Sequence, residues 1–66
     1  MEIEVNGVSQ HLDAIQNLKN LIDKTVSDTR GMAVAVNNMV IPQNLWDQTS
    51  LTENDKVLLI KATQGG

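Results

Sequence analysis

Residues 56–66 read KVLLIKATQGG, and the first half of that stretch decides the fold. Val57, Leu58, Leu59 and Ile60 form an unbroken apolar run, the pattern of a strand buried on both faces within a sheet. No other strand-like segment of the chain is as apolar, so this one belongs in the middle. A buried strand normally turns back into its domain. This one runs out through Thr63 and Gln64 to Gly65 and Gly66, which have no side chain to pack, pair or react.

The strand's neighbours are legible at the other end of the chain. Residues 2–12 read EIEVNGVSQHL. Ile3 and Val5 alternate with Glu2 and Glu4, the period of a half-buried strand. Asn6 and Gly7 supply the pair that a tight type I′ turn requires, because both central positions need positive φ. Residues 8–12 form the returning strand. Ile15, Leu18, Leu21, Ile22 and Val26 then fall at helical spacing, with Lys19, Asn20, Asp23 and Lys24 on the other side. Either Asp13, which makes a capping box with Gln16, or Asn17 can cap the start of that helix. Residues 27–31, SDTRG, form the exit loop, with Gly31 free to adopt a left-handed conformation.

Residues 32–41 read as a strand, a turn at Asn37 and Asn38, and a short second strand. Val34 and Val36 share one face of the first, and Ala33 and Ala35 the other. Pro42 cannot donate to a ladder, so the second strand ends there or lies at a sheet edge. Residues 43–55 are irregular, with one short helical turn around Leu45 and Trp46.

The order is hairpin, helix, hairpin, strand. One helix packed across one face of a mixed sheet of four to five strands satisfies it. The helix also provides the crossover that lets the first strand lie parallel to the last. This is an α+β, β-grasp arrangement. It predicts a domain over residues 1–62 and a flexible tail, 63–66, leaving from a central strand.

The composition narrows the function. A chain of 66 residues fits one domain and is too small to surround a substrate with a deep pocket. A formal charge of −3 leaves no basic stripe for nucleic acid and matches a basic partner surface better. Without cysteine there is no disulfide frame, thiolate metal site or thiol nucleophile. No apolar run is long enough to span a membrane, and the acidic, alternating start is unlike a signal peptide. The expected location is the cytoplasm.

Side-chain catalysis finds no candidates. His11 is the only histidine, and the carboxylates near it lack metal-ligand spacing, so it reads as a polar strand residue. Asp13, Asp23 and Asp28 read as caps and solvated positions. Glu53 and Asp55 sit in a turn where such side chains bond their own backbone. Ser9, Ser27 and Ser50 have no nucleophile-elbow context. Trp46, the sole aromatic residue, reads as a plug at one end of the core. No catalytic residue and no metal site is expected.

The tail remains. Glycine at a chain end is often incidental. Yet a Gly-Gly end can enter a narrow channel and take φ/ψ values closed to other residues. The reactive group there is the α-carboxylate of Gly66, an anion at neutral pH because its ordinary pKa is roughly 3.3–3.7. It can attack the α-phosphate of ATP if a partner supplies nucleotide and metal. The acyl-adenylate so formed is open to sulfur or nitrogen nucleophiles.

Residues 33–46, AVAVNNMVIPQNLW, and 55–66, DKVLLIKATQGG, together with the leading VNG hairpin, resemble the ThiS family of small sulfur carriers of thiamin biosynthesis. The resemblance spans almost the whole chain. It rests on the V-N-x-x-x-(V/I)-P segment, tryptophan four residues after the proline, the D-x-V-x-(L/I) last strand and the terminal Gly-Gly. It favours Asn17 over Asp13 as the helix cap. Gln43 stands where the family often has a basic residue, and Asn54-Asp55 replaces its usual Gly-Asp turn, which Asn can also form. The resemblance implies a ubiquitin-like fold and a protein co-substrate rather than an enzyme. Gly66 would be the site of adenylation and of thiocarboxylate formation, and Gly65 would keep the tail slim. The implied partners are a ThiF-like, E1-like adenylyltransferase, a sulfur donor protein and a ThiG-like thiazole synthase. No cofactor is expected on this chain itself; ATP and metal would come with the activating partner.

Alternation along the last strand gives a docking surface. With Ile3, Val5, Val57 and Leu59 assigned to the core, Leu58, Ile60 and Ala62 share the open face near the tail. Apolar patches of this kind mark partner surfaces. Three other readings fit the same residues: the small subunit of molybdopterin synthase, a ubiquitin-like modifier, and a plain β-grasp binding module with incidental glycines.

Overall fold

Asn6 and Gly7 make the first turn as their residue types require, with φ of 50° and 83°. A Cβ built on Gly7 meets nothing within 4 Å, so the demand there is conformational rather than steric. The turn joins β1 (Glu2–Val5) to β2 (Val8–His11), with Val5 opposite Val8 and Glu2 opposite His11. Leu12 lies beyond β2, but its N–H still donates to the Met1 carbonyl at 2.7 Å. The computed structural model describes residues 1–13 and 17–61. Ile15, Gln16 and the tail from Ala62 onward lie outside them.

Asn17 caps α1 (Leu18–Thr25), its Oδ1 accepting from the Asn20 N–H at 2.8 Å. Of the two caps open to the sequence, Asn17 is therefore the one used. It also fixes the helix in space, since its Nδ2 donates to the Asp47 carbonyl at 3.2 Å. The Leu18 N–H, which a helix start leaves free, donates to the Thr49 carbonyl at 2.7 Å. Leu18, Leu21 and Ile22 are buried, and Lys19 pairs with Asp23 on the wet side.

After Gly31, at φ 70°, β3 (Met32–Val36) turns through Asn37 and Asn38, both at positive φ, into β4 (Met39–Val40). Pro42 then opens a 3₁₀ helix, Gln43–Gln48, longer than the single turn expected. Trp46 in that helix is buried, and its Nε1 donates to the Ile41 carbonyl at 2.9 Å, so the core plug keeps its polar atom satisfied.

The sheet has five strands in the order β2-β1-β5-β3-β4, with β5 (Lys56–Lys61) at its centre. β5 runs parallel to β1 and antiparallel to β3, as the crossover argument requires. Ile3, Val5, Val34 and Val57 face the helix residues across one core, which Leu12, Trp46 and Leu51 complete. Leu59 packs against that core but is only half-buried. One expectation needs correcting. β5 is central by hydrogen bonding, yet it is not buried on both faces, because the helix covers a single side of the sheet.

Candidate functional site

The open face of β5 follows from strand parity. Leu58 is 47% exposed and Ile60 51% exposed, while Val57 between the strands and helix is buried. Their cross-strand neighbours are Ala35 and Ala33 on β3, and Val40 on β4 lies opposite Ala35. Alanine is too short to cover a leucine or isoleucine beside it. The result is an apolar strip crossing three strands, with Leu58 and Ile60 standing above it.

On the other side of β5 the same face is charged. Glu4 lies opposite Lys56, and Glu2 opposite His11, whose Nδ1 is 2.8 Å from Glu2 Oε1. His11 Nε2 is 3.4 Å from Asp13. His11 is thus an exposed strand residue between two carboxylates. Among the described residues no group of three metal-ligating side chains is arranged to hold an ion. An open depression lies between Glu4, Lys56, Ala35 and Leu58.

The end of β5 is fastened to the exit loop. Lys61 Nζ lies 3.9 Å from Asp28 Oδ2 and 3.5 Å from the Asp28 carbonyl. Asp28 also grips Arg30, with Nε and Nη2 each donating at 3.1 Å. The Arg30 side chain, then its backbone N–H, hold the Asp28 carboxyl below the usual carboxylate range. Asp28 is therefore a tie between loop and strand as well as a solvated residue.

Asp55 was legible only in part. Its Oδ2 accepts from the Thr52 N–H at 2.8 Å, the expected turn bond. It also accepts from Thr52 Oγ1 at 3.0 Å and from Asn37 Nδ2 at 2.9 Å, and it is buried. Asn37 in turn accepts from the Lys56 N–H at 2.9 Å. The pair locks the β3–β4 turn to the start of β5. Glu53 likewise reaches across the sheet end, accepting from the Glu2 N–H at 2.8 Å. No local pattern signals either long-range contact. Asn54 at φ 68° forms the left-handed turn in place of glycine.

Of the residues assigned to the site, the structure brings Leu58 and Ile60 together on one face. Ala62, Gly65 and Gly66 lie outside the described residues. No helix among the described residues is long and apolar enough to cross a membrane.

The model of the ThiS family matches residues 2–66. The sulfur carrier protein ThiS of Escherichia coli (strain K12) is 27% identical over 66 residues, with the whole of both chains covered. A crystal structure of the thiamine biosynthesis protein ThiS from Geobacter metallireducens is similar at TM-score 0.86 and 25% identity, covering all of both chains. The solution structure of a thiamine biosynthesis protein from the same organism gives TM-score 0.79 at 25% identity, covering all of this chain and 88% of that one.

Proposed function

The chain belongs to the ThiS family and is a sulfur carrier of thiamin biosynthesis rather than a catalyst; we propose that the α-carboxylate of Gly66 is the group that carries the sulfur. The observation behind this reading is that the family match runs on through the last strand to Gly66. The carboxylate attacks the α-phosphate of ATP on an activating enzyme, and pyrophosphate leaves. Sulfur from a partner's persulfide then displaces AMP to give an acyl disulfide. A thiol attacks the donor's sulfur in it, leaving the thiocarboxylate and a disulfide between that thiol and the donor. On thiazole synthase the sulfur passes to the acceptor, and an oxygen from that acceptor or from water restores the carboxylate.

Each partner has a part of the chain to recognise. Gly65 and Gly66 enter the narrow catalytic channel, where a Cβ would crowd the carbonyl under attack. Leu58 and Ile60, with Ala62 beyond them, are the docking surface, an apolar strip exposed on an otherwise polar sheet face. The activating enzyme is of the ThiF-like, E1-like type and brings ATP and metal with it. We place the reaction in the cytoplasm, where ATP is supplied.

ATP–pyrophosphate exchange by the activating enzyme tests the assignment of Gly66. The full chain should support exchange, and deletion of Gly66 should abolish it while leaving the fold unchanged. Undiminished exchange with the deleted variant would put the chemistry elsewhere.

A further inference from the structure

The Asn6 side chain makes a contact that the proposed chemistry does not use. Along the parallel pair β1–β5, the N–H groups of Glu4 and Asn6 donate to the carbonyls of Asp55 and Val57, each at 2.9 Å. A regular ladder would next engage the backbone of Leu59. The chain cannot supply that rung, because Asn6 and Gly7 turn away with positive φ. The Asn6 carboxamide stands in for the missing peptide. Its Oδ1 accepts from the Leu59 N–H at 2.8 Å, and its Nδ2 donates to the Leu59 carbonyl at 3.4 Å. A carboxamide carries the same donor and acceptor as a peptide group, so a side chain adds one rung to the ladder. Past it, Ile60 and Lys61 are paired with Ala33 and Met32 of β3, and β1 has no residue opposite them.

We propose that Asn6 is a positioning residue for the carrier reaction: it sets the point at which β5 parts from β1, and so how firmly the root that delivers Gly66 is held. This rests on the function proposed above. Leu59 is the last residue of β5 held from both flanks, and Gly66 is the seventh residue after it. A fully extended chain of that length reaches at most about 25 Å. A partner that binds the strip at Leu58 and Ile60 must find the carboxylate within that span. If the Leu59 rung is lost, Leu59 joins Ile60 and Lys61 in being held by β3 alone, and one more residue before the tail loses its second flank. Docking must then re-order residues that the wild type keeps ordered, and that cost falls on binding rather than on chemistry.

The test compares two variants of the full chain in steady-state adenylation with ATP and the activating enzyme. Asn6→Gly keeps the positive φ and removes the carboxamide. Asn6→Asp keeps an acceptor for the Leu59 N–H and loses the donor. In Asn6→Gly, KM for the carrier should rise about tenfold, the effect of re-fixing one residue, with kcat unchanged. Asn6→Asp should fall between it and wild type. Amide exchange at Leu59 should accelerate in Asn6→Gly while exchange at Val34 does not. An unchanged KM in both variants, or unchanged exchange at Leu59, would overturn the positioning role even though adenylation proceeds. Failure of the wild type to be adenylated would instead overturn the sulfur-carrier chemistry, and the delivery role with it.

Discussion

Asp55 shows how a single side chain fixes both a turn and a pH dependence. Burial alone would raise its pKa, but hydrogen bonds from the Thr52 N–H, Asn37 Nδ2 and Thr52 Oγ1 outweigh burial and hold it below the ordinary carboxylate value. A carboxyl whose pKa is lower folded than unfolded adds stability that is complete above the unfolded value, about 3.9 for aspartate. That stability is lost as pH falls through the folded value. Asp55→Asn should therefore be less stable than wild type at neutral pH by about 1.5–3 kcal/mol, the range for hydrogen bonds to a charged group. The difference should shrink toward low pH, which urea denaturation across a pH series would show. Gly7 gives a second residue-scale expectation. Its φ of 83° faces open space, so Gly7→Ala should cost about 1–2 kcal/mol through backbone strain alone, and Gly7→Asn less. Comparing urea midpoints of the two variants separates strain from lost packing. The Asn6-Gly7 turn was legible because its requirement is local. The Asp55–Asn37 bond was not, because its partners lie 18 residues apart and neither residue type announces the other.

At the scale of elements, the two faces of β5 should respond to mutation in opposite ways. Leu58 is half exposed, so Leu58→Glu should leave the thermal midpoint nearly unchanged and weaken adenylation through KM. Loss of the fold in that variant would place Leu58 in the core instead. Trp46 sits inside, and Trp46→Ala should cost about 3–5 kcal/mol. A domain of this size has roughly 3–10 kcal/mol to lose, so that variant should lose a third or more of its stability, seen as a sharply lowered urea midpoint. The alternation in β1 and the helical spacing of Leu18, Leu21 and Ile22 made those elements legible. An apolar run carries no such period. Residues 57–60 read as buried on both faces because hydrophobicity reports a strand's place in the sheet and its burial together, and here the two separate. The 3₁₀ helix Gln43–Gln48 was legible as a turn but not in length, because its far end is closed by Thr49, whose N–H donates to the Trp46 carbonyl and whose hydroxyl donates to the Leu45 carbonyl.

Among the described residues, the molecule is a sheet with a helix across one face and the other face open. Sheet order was legible from chain order: one crossover helix, two tight turns and a most-apolar last strand leave few arrangements. The exposed apolar face of β5 followed from strand parity, with Leu58 and Ile60 beside Ala33 and Ala35, and docking there is the role proposed for it. The chemical half has no packing signature. Gly65 and Gly66 have no side chains, and the role proposed for them rests only on the reactivity of a carboxylate and on the family pattern. The sequence shows Asn6 only as a turn residue, because a carboxamide standing in for a peptide leaves no trace in residue spacing. The proposed carrier chemistry requires that Gly66 be chemically altered in use. Intact-mass spectrometry of the protein from cells making thiamin measures that directly. A population with one C-terminal oxygen replaced by sulfur, absent after Gly66 deletion, is the predicted result. Its persistent absence with the activating enzyme and sulfur donor present would contradict the sulfur-carrier chemistry proposed for Gly66.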